Sequence, residues 1–267
     1  MSEPWVNRIH LGSCENMDAI PDGSIHCVVT SPPYDEVREY GGNSGFSAQA
    51  VIKQLDRVLV DGGSVCWVVQ DQTKDFAKSG TSARTTVAFL DSGFRLFETM
   101  IYHRHGRPGP WWSQRLRVDH EYIHVFFKGA RPRVFNKPMI PAIYAGLEKA
   151  VWTERLSDGT TRAGRPLVVA ETKCRGTVWK YPPGNTENDF VKLEHPATFP
   201  NALASDLIQA FSDEGDIILD PFIGSGTTAV MSDILQRRWC GYEINPNYID
   251  IATRRLSQRS MFSGGAA

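Results

Sequence analysis

The segment from Ile217 to Thr228 constrains this chain more than any other feature. Its first residues, Ile217-Ile218-Leu219-Asp220, form an apolar run short enough to read as a buried strand. That run leads directly into Pro221-Phe222-Ile223-Gly224-Ser225-Gly226-Thr227-Thr228 and then a helical stretch. Two glycines one residue apart, set between strand and helix, let the backbone turn tightly and approach a ligand closely. The helix that opens after them presents unpaired N–H groups and partial positive charge. About twenty residues further on, Trp239-Cys240-Gly241-Tyr242-Glu243-Ile244 reads as the next strand, with Glu243 near its carboxyl end. In doubly wound sheets an acid at that offset accepts hydrogen bonds from ribose hydroxyls. The segment therefore predicts an α/β fold: a Rossmann-like, mostly parallel sheet with an adenosine cradle. It has no P-loop lysine, which disfavours a nucleoside triphosphate.

A second strand end lies far upstream. Ile25-His26-Cys27-Val28-Val29-Thr30 runs into Ser31-Pro32-Pro33-Tyr34, and two prolines stop a strand because neither can donate to a ladder. The resulting corner offers unclaimed backbone carbonyls, a hydroxyl and a flat ring, which suit a planar base bearing an amino group. Alone, the tetrapeptide also fits an ordinary loop. Beside the glycine turn it points to methyl transfer onto that amino group.

Together these residues resemble the amino-methyltransferases that use S-adenosylmethionine to methylate exocyclic nitrogens of DNA bases. The resemblance rests on Ser31-Pro32-Pro33-Tyr34 as the catalytic motif, Phe222-x-Gly224-x-Gly226 as the cofactor motif, and His195-Pro196-Ala197-Thr198-Phe199-Pro200 as the segment leading into it. The catalytic motif comes first, the order of the permuted β-class. The resemblance implies cofactor contacts from Asp220, Phe222, Gly224, Gly226, Thr227, Glu243, Thr198, Phe199 and Pro200. Ser13, in Leu11-Gly12-Ser13-Cys14, stands where the family usually has an aspartate that meets the cofactor's adenine. Ser31 is commoner in enzymes acting on N4 of cytosine than in those acting on N6 of adenine, so cytosine is the expected base and adenine the alternative.

Net charge is only −1, but it is unevenly spread. Residues 101–192 hold 16 Lys and Arg against 8 Asp and Glu, a surplus suited to phosphates. Within that stretch Arg104, Arg107, Arg115 and Arg117 interleave with Trp111 and Trp112 on a Gly/Pro-rich loop. Arginine bridges phosphates or pairs with guanine edges, and indole stacks on bases. Solvated arginines around core tryptophans are the plainer reading. Double-stranded DNA is the expected partner; a cognate restriction endonuclease and self-association are compatible with the sequence.

The expected organisation is a catalytic part of the α/β domain over 1–102, a basic, loop-rich target-recognition insert over 103–192, a cofactor-binding part over 193–260 and a flexible tail over 261–267. Residues 46–59 carry apolar positions at helical spacing, and Asp61-Gly62-Gly63 is expected to end that helix before the strand Val65–Val69. Asn201 is expected to cap the helix holding Leu203, Leu207, Ile208 and Phe211. Five scattered cysteines, never spaced Cys-x-x-Cys, argue against zinc and against a disulfide framework and suit a reducing cytoplasm. No metal is expected, and no run is apolar enough to span a membrane. Methylation at cytosine C5 needs a cysteine nucleophile, usually after proline, and no Pro-Cys pair occurs. A non-catalytic nucleic-acid-binding protein on the same fold is the alternative from another class.

Overall fold

The computed structural model describes residues 3–33, 45–74, 76–104, 115–149, 153–163, 167–184 and 199–263. In chain order the first elements are β1 (Arg8–Leu11), β2 (Ile25–Thr30), α1 (Ala48–Val58) and β3 (Leu59–Val69). A small hairpin of β4 (Thr73–Lys74) and β5 (Ala77–Lys78) precedes α2 (Thr81–Asp91), β6 (Arg95–His103) and β7 (His120–Phe127). Six short strands come next: β8 (Met139–Pro141), β9 (Glu148–Lys149), β10 (Thr153–Arg155), β11 (Thr161–Ala163), β12 (Leu167–Val168) and β13 (Thr172–Cys174). The chain closes with β14 (Val178–Lys180), α3 (Asn201–Phe211), β15 (Ile217–Asp220), α4 (Thr227–Ile234), β16 (Arg238–Glu243) and α5 (Pro246–Ser263).

Eight strands form one sheet in the order β1-β16-β15-β2-β3-β7-β6-β14. Pairing is parallel from β1 through β3 and between β6 and β14, while β7 runs antiparallel to both its neighbours. The side-chain period of two puts alternate residues on opposite faces. Ile25 and Val28 of β2, with Val65, Trp67 and Val69 of β3, pack against Val51, Ile52, Leu55 and Val58 of α1 and Phe89 of α2. Cys27, Val29, Cys66 and Val68 face the other way, onto Leu203, Leu207, Ile208 and Phe211 of α3 and Val230 and Met231 of α4. Strands buried on both faces read as continuous apolar runs, which is what 25–30 and 65–69 are.

The start of α1 is set locally: the Ser47 hydroxyl accepts the Ala50 N–H at 3.3 Å, satisfying one of the orphan donors of a first turn. Two expected boundaries shift. Asp61-Gly62-Gly63 lies inside β3 rather than before it. The register there jumps from Ile25 opposite Leu59 to Cys27 opposite Ser64, and the bulge uses Gly62 at φ +75°. The cap of α3 is Pro200, with Asn201 its first residue, because the Asn201 side chain is engaged by Arg255 instead.

The expected insert also narrows. The chain divides into two compact units, one comprising 1–136 and 177–267 and the other Lys137–Gly176. Residues 120–127 and 178–180 fall inside the expected 103–192 insert, yet they are β7 and β14 of the main sheet, held there by ladder hydrogen bonds. The second unit is built of strands as well as loops: β8 pairs β13, β9 pairs β12 and β10 pairs β11, all antiparallel. None of its described side chains is buried.

Candidate active site

The two motif-bearing strands are immediate neighbours. β2 pairs β15 in parallel, with Cys27 opposite Ile218 and Val28 opposite Leu219, so Ser31 and Pro221 leave the same edge of the sheet. From β15 the chain winds through α4 to β16 on one side, and from β2 it winds through α1 to β3 on the other. That reversal is the topological switch point where open α/β sheets bind ligands, outside the carboxyl ends of the strands.

A buried carboxylate ties the two tips together. Asp220 Oδ1 accepts the Thr30 hydroxyl at 2.6 Å and the Phe222 N–H at 3.0 Å, and Oδ2 lies 2.7 Å from the Thr228 hydroxyl. That hydroxyl is also 3.1 Å from the Val29 carbonyl. Thr228 has one proton, so it donates to Asp220 when the acid is ionised. When the acid is protonated, Asp220 donates to Thr228 and Thr228 to Val29. Burial is the largest influence and pushes the Asp220 carboxyl up to about 6, against the opposing pull of its three donors. The sequence suggested a cofactor contact for Asp220; in the structure its oxygens brace the Thr30-Ser31 corner against the glycine turn. At the opposite ends of the same strands, the His26 ring nitrogen accepts the Ile217 N–H at 3.1 Å.

The glycine turn is itself supported from three directions. Gly224 and Gly226 have φ of +47° and +78°, a region that side-chain-bearing residues rarely enter. Gly224 donates to Glu243 Oε2 at 3.0 Å, and Asn245 donates to Oε1 at 2.9 Å. Burial raises the Glu243 carboxyl, with those N–H groups opposing. Each oxygen keeps a further lone pair, so the fixed carboxylate can still take ribose hydroxyls. Gly241 lies behind the turn, where a Cβ would stand 2.3 Å from Ile223 Cδ1. Phe222 packs edge-on to Trp67 at 6.0 Å between centroids and tilts on Phe46 at 4.7 Å.

Sequence reasoning missed Arg255. Buried on α5, it donates to the Ser225 carbonyl, to Thr227 Oγ1 at 3.2 Å and to Asn201 Oδ1 at 3.4 Å. One guanidinium thus holds the glycine turn and the first residue of α3, bringing two helix N-termini to one place. In the sequence it is only one of two adjacent arginines on an amphipathic helix. Arg255→Ala is expected to lower stability by roughly 2–3 kcal/mol, read by denaturant unfolding, because it strips donors from buried oxygens.

Among the other expected residues, Ser31 and Pro33 are half-buried and Pro32 is buried; Tyr34 lies outside the described residues. Phe199 packs against the α3 face of the core and Pro200 is buried at the α3 cap; Thr198 lies outside. Ser13 is exposed beyond β1, where Gly12 donates to the Glu243 carbonyl at 2.9 Å and Ser13 Oγ accepts the Glu15 N–H at 3.2 Å. Arg104 pairs with Glu121 at 3.4 Å and donates to Gln70 at 3.2 Å, so a structural ion pair engages one expected DNA contact. Arg115 donates to the Phe76 carbonyl and Arg117 is exposed. Arg107, Trp111 and Trp112 lie outside the described residues. Among the described residues no cluster of His, Cys, Asp or Glu could hold a metal, and no helix is long and apolar enough to cross a membrane.

The fold is shared with known proteins. The profile of the DNA methylase family matches residues 25–254. The orphan methyltransferase M.BamHII of Bacillus amyloliquefaciens is 38% identical over 242 residues, which cover 89% of this chain and 90% of that protein. Among solved structures, PvuII DNA methyltransferase (cytosine-N4-specific) superposes with a TM-score of 0.67 at 18% identity, covering 94% of this chain and 88% of that one. A DNA modification methylase from Thermus thermophilus, complexed with S-adenosyl-L-methionine, gives 0.63 at 25% identity over 94% and 93%. With the family profile running from the catalytic strand into the last helix and a relative matched over nearly its full length, this chain belongs to the DNA methylases, the S-adenosylmethionine-dependent DNA amino-methyltransferases.

Proposed function

We propose that the chain methylates N4 of cytosine within a specific sequence of double-stranded DNA, with Ser31, Pro32, Pro33 and Tyr34 forming the base pocket. The observation that carries this reading is the parallel pairing of β2 with β15 and the Thr30–Asp220 bond across their tips. A donor held at the glycine turn and an amine held at Ser31 then share one cleft. S-adenosylmethionine, when bound, supplies a sulfonium-activated methyl group. The positive-φ turn at Gly224 and Gly226, the acceptor capacity of Glu243 and the helix N-termini joined by Arg255 fit its adenosine and carboxylate ends.

The rest is work for the protein's own groups. An aromatic amine is a poor nucleophile because its lone pair is delocalised into the ring. The Ser31 hydroxyl and the Pro32 carbonyl accept the amino hydrogens and turn the lone pair out of the ring plane, while Tyr34 stacks on the base. Orientation and placed dipoles supply the rate. The target must leave the duplex first, which costs a few kcal/mol; the basic residues within 103–192 are assigned to holding the opened DNA.

Purified protein with methyl-labelled cofactor and duplex DNA, followed by nucleoside analysis, tests this. N4-methylcytosine is expected; N6-methyladenine would overturn the base assignment, and no methylated nucleoside would overturn the enzymatic reading. Tyr34→Ala is expected to abolish turnover while leaving cofactor affinity, measured by calorimetry, unchanged.

A further inference from the structure

The carboxyl edge of the sheet continues past Ser31 onto three more strands. β2 sets Thr30 opposite Trp67 of β3, β3 sets Val69 opposite Tyr122 of β7, and β7 sets Glu121 opposite Tyr102 of β6. Val29, Val68, Ile123 and Tyr102 all lie on the α3 side of the sheet. The side-chain period of two then carries Ser31, Gln70, Glu121 and Arg104 to that same side, at the rim. The Arg104 N–H donates to the Asp119 carbonyl at 2.8 Å, so the ladder reaches that far. By register Ser31 is level with Val68. Gln70 therefore stands two residues further along and one strand across, about 8 Å from Ser31 between backbones at ~3.3 Å per residue and ~4.8 Å per strand.

These rim residues form one network. Arg104 Nη1 pairs with Glu121 at 3.4 Å, Arg104 Nη2 donates to Gln70 Oε1 at 3.2 Å, and Gln70 Nε2 donates to the His120 carbonyl at 3.1 Å. Arginine can only donate, so the Gln70 oxygen faces it and the orientation of the amide is fixed. Two donors are left over. The Arg104 Nε–H is closed off from solvent and has no partner among the described residues, and Gln70 Nε2 carries a second hydrogen beyond the one given to His120. A buried donor without an acceptor is costly, yet buried Glu121 holds the guanidinium that carries this one in place. Asp71, the next residue along, is engaged elsewhere: it accepts the Ser82 N–H at 2.8 Å at the start of α2.

The leftover donors complement the acceptors at Ser31 and Pro32. Along its pairing edge cytosine presents its amino group, then two acceptors, N3 and O2, whereas adenine presents its amino group, one acceptor and a C–H. We propose that Arg104 and Gln70 read this edge of the flipped cytosine, the Arg104 Nε–H donating to N3 and the spare Gln70 hydrogen to O2 while Ser31 and Pro32 hold the amino group. Adenine in the same place would leave the Gln70 hydrogen against carbon, and a site built to hydrogen-bond rejects a substrate that lacks the partner atom. The inference rests on N4 of cytosine being the target, and it places the choice of base in the sheet itself.

The test compares wild type, Arg104→Lys and Gln70→Leu on a duplex oligonucleotide carrying the site mapped by sequencing methylated DNA, with cytosine or 3-deazacytosine at the target position. The analogue keeps the amino group and O2 and has C–H in place of N3. Wild-type kcat/KM is expected to fall at least tenfold on the analogue. Arg104→Lys should lose at least tenfold on cytosine and little more on the analogue, because the group that meets N3 is already gone. Gln70→Leu should lose at least tenfold on cytosine while cofactor affinity stays at the wild-type level. Equal wild-type rates on the two bases, or losses that simply multiply in Arg104→Lys, would overturn the role of Arg104; an unchanged rate in Gln70→Leu would overturn that of Gln70. If a variant fails to fold, the wild-type comparison of the two bases still decides. A wild type that makes N6-methyladenine, or no methylated nucleoside, would instead overturn the function on which the inference stands.

Discussion

Asp220→Ala is expected to abolish methyl transfer and to destabilise the fold by roughly 3–5 kcal/mol, since three buried donors would lose an acceptor at about 1–3 kcal/mol each, partly relieved by rearrangement. Thr30, Phe222 and Thr228 all point at that carboxylate. Without it the catalytic corner and the glycine turn are no longer braced against each other. Asp220→Asn separates the brace from the charge. Burial holds the folded acid up near 6 from an ordinary 3.8, so between those values the native state keeps a proton that the unfolded chain releases. Stability from this group is therefore full below about pH 4 and falls as pH rises through 6, by about 3 kcal/mol at ~1.4 kcal/mol per unit. The nearby acid Glu243 and thiols Cys14 and Cys240 share this field, so the comparison is wild type against Asp220→Asn across the same range. The difference between their unfolding free energies should shift toward the asparagine variant as pH rises. A constant difference would show that Asp220 does not titrate there.

Gly226→Ala is the second large effect. The residue sits at φ +78°, and an added Cβ would stand 2.9 Å from Ala252 Cβ, an atom fixed to the backbone of α5. The left-handed backbone costs a side chain about 1–2 kcal/mol and overpacking another 1–3 kcal/mol. The cheapest relief is for the turn to move off α5, which takes the cradle with it. Cofactor affinity should fall at least a hundredfold by calorimetry, with a smaller loss of thermal stability. Wild-type affinity in this variant would mean that the cofactor does not depend on the turn.

Much of this architecture was legible because local patterns carry it. The apolar runs at 25–30 and 217–220 are strands in the sequence and in the structure, since a strand buried on both faces needs unbroken hydrophobicity. The turn at 224–226 was legible for a similar reason: only glycine serves there. What sequence could not supply was pairing. Thr30 and Asp220 stand 190 residues apart, and nothing in either run encodes the other as its neighbour. Arg255 was hidden because burial of a charge depends on partners elsewhere in the chain. Arg104 was read as a DNA contact from its arginine-rich surroundings; its ion pair with Glu121, seventeen positions on in β7, depends on strand pairing that the sequence does not encode. The short strand pairs within 137–176 escaped notice because exposed strands need no apolar alternation, so the segment looked irregular. Composition gave its charge and could not give its shape.

One measurement reaches the central claim most directly: a crystal structure of the protein with an unreactive amine analogue of S-adenosylmethionine, in which an amino group takes the place of the transferable methyl. The analogue is expected along the Phe222–Gly226 turn, ribose on Glu243, with its amine directed at the Ser31 corner beyond the Thr30–Asp220 brace. An analogue whose amine points away from the carboxyl end of β2, or one seated elsewhere on the sheet, would contradict the account.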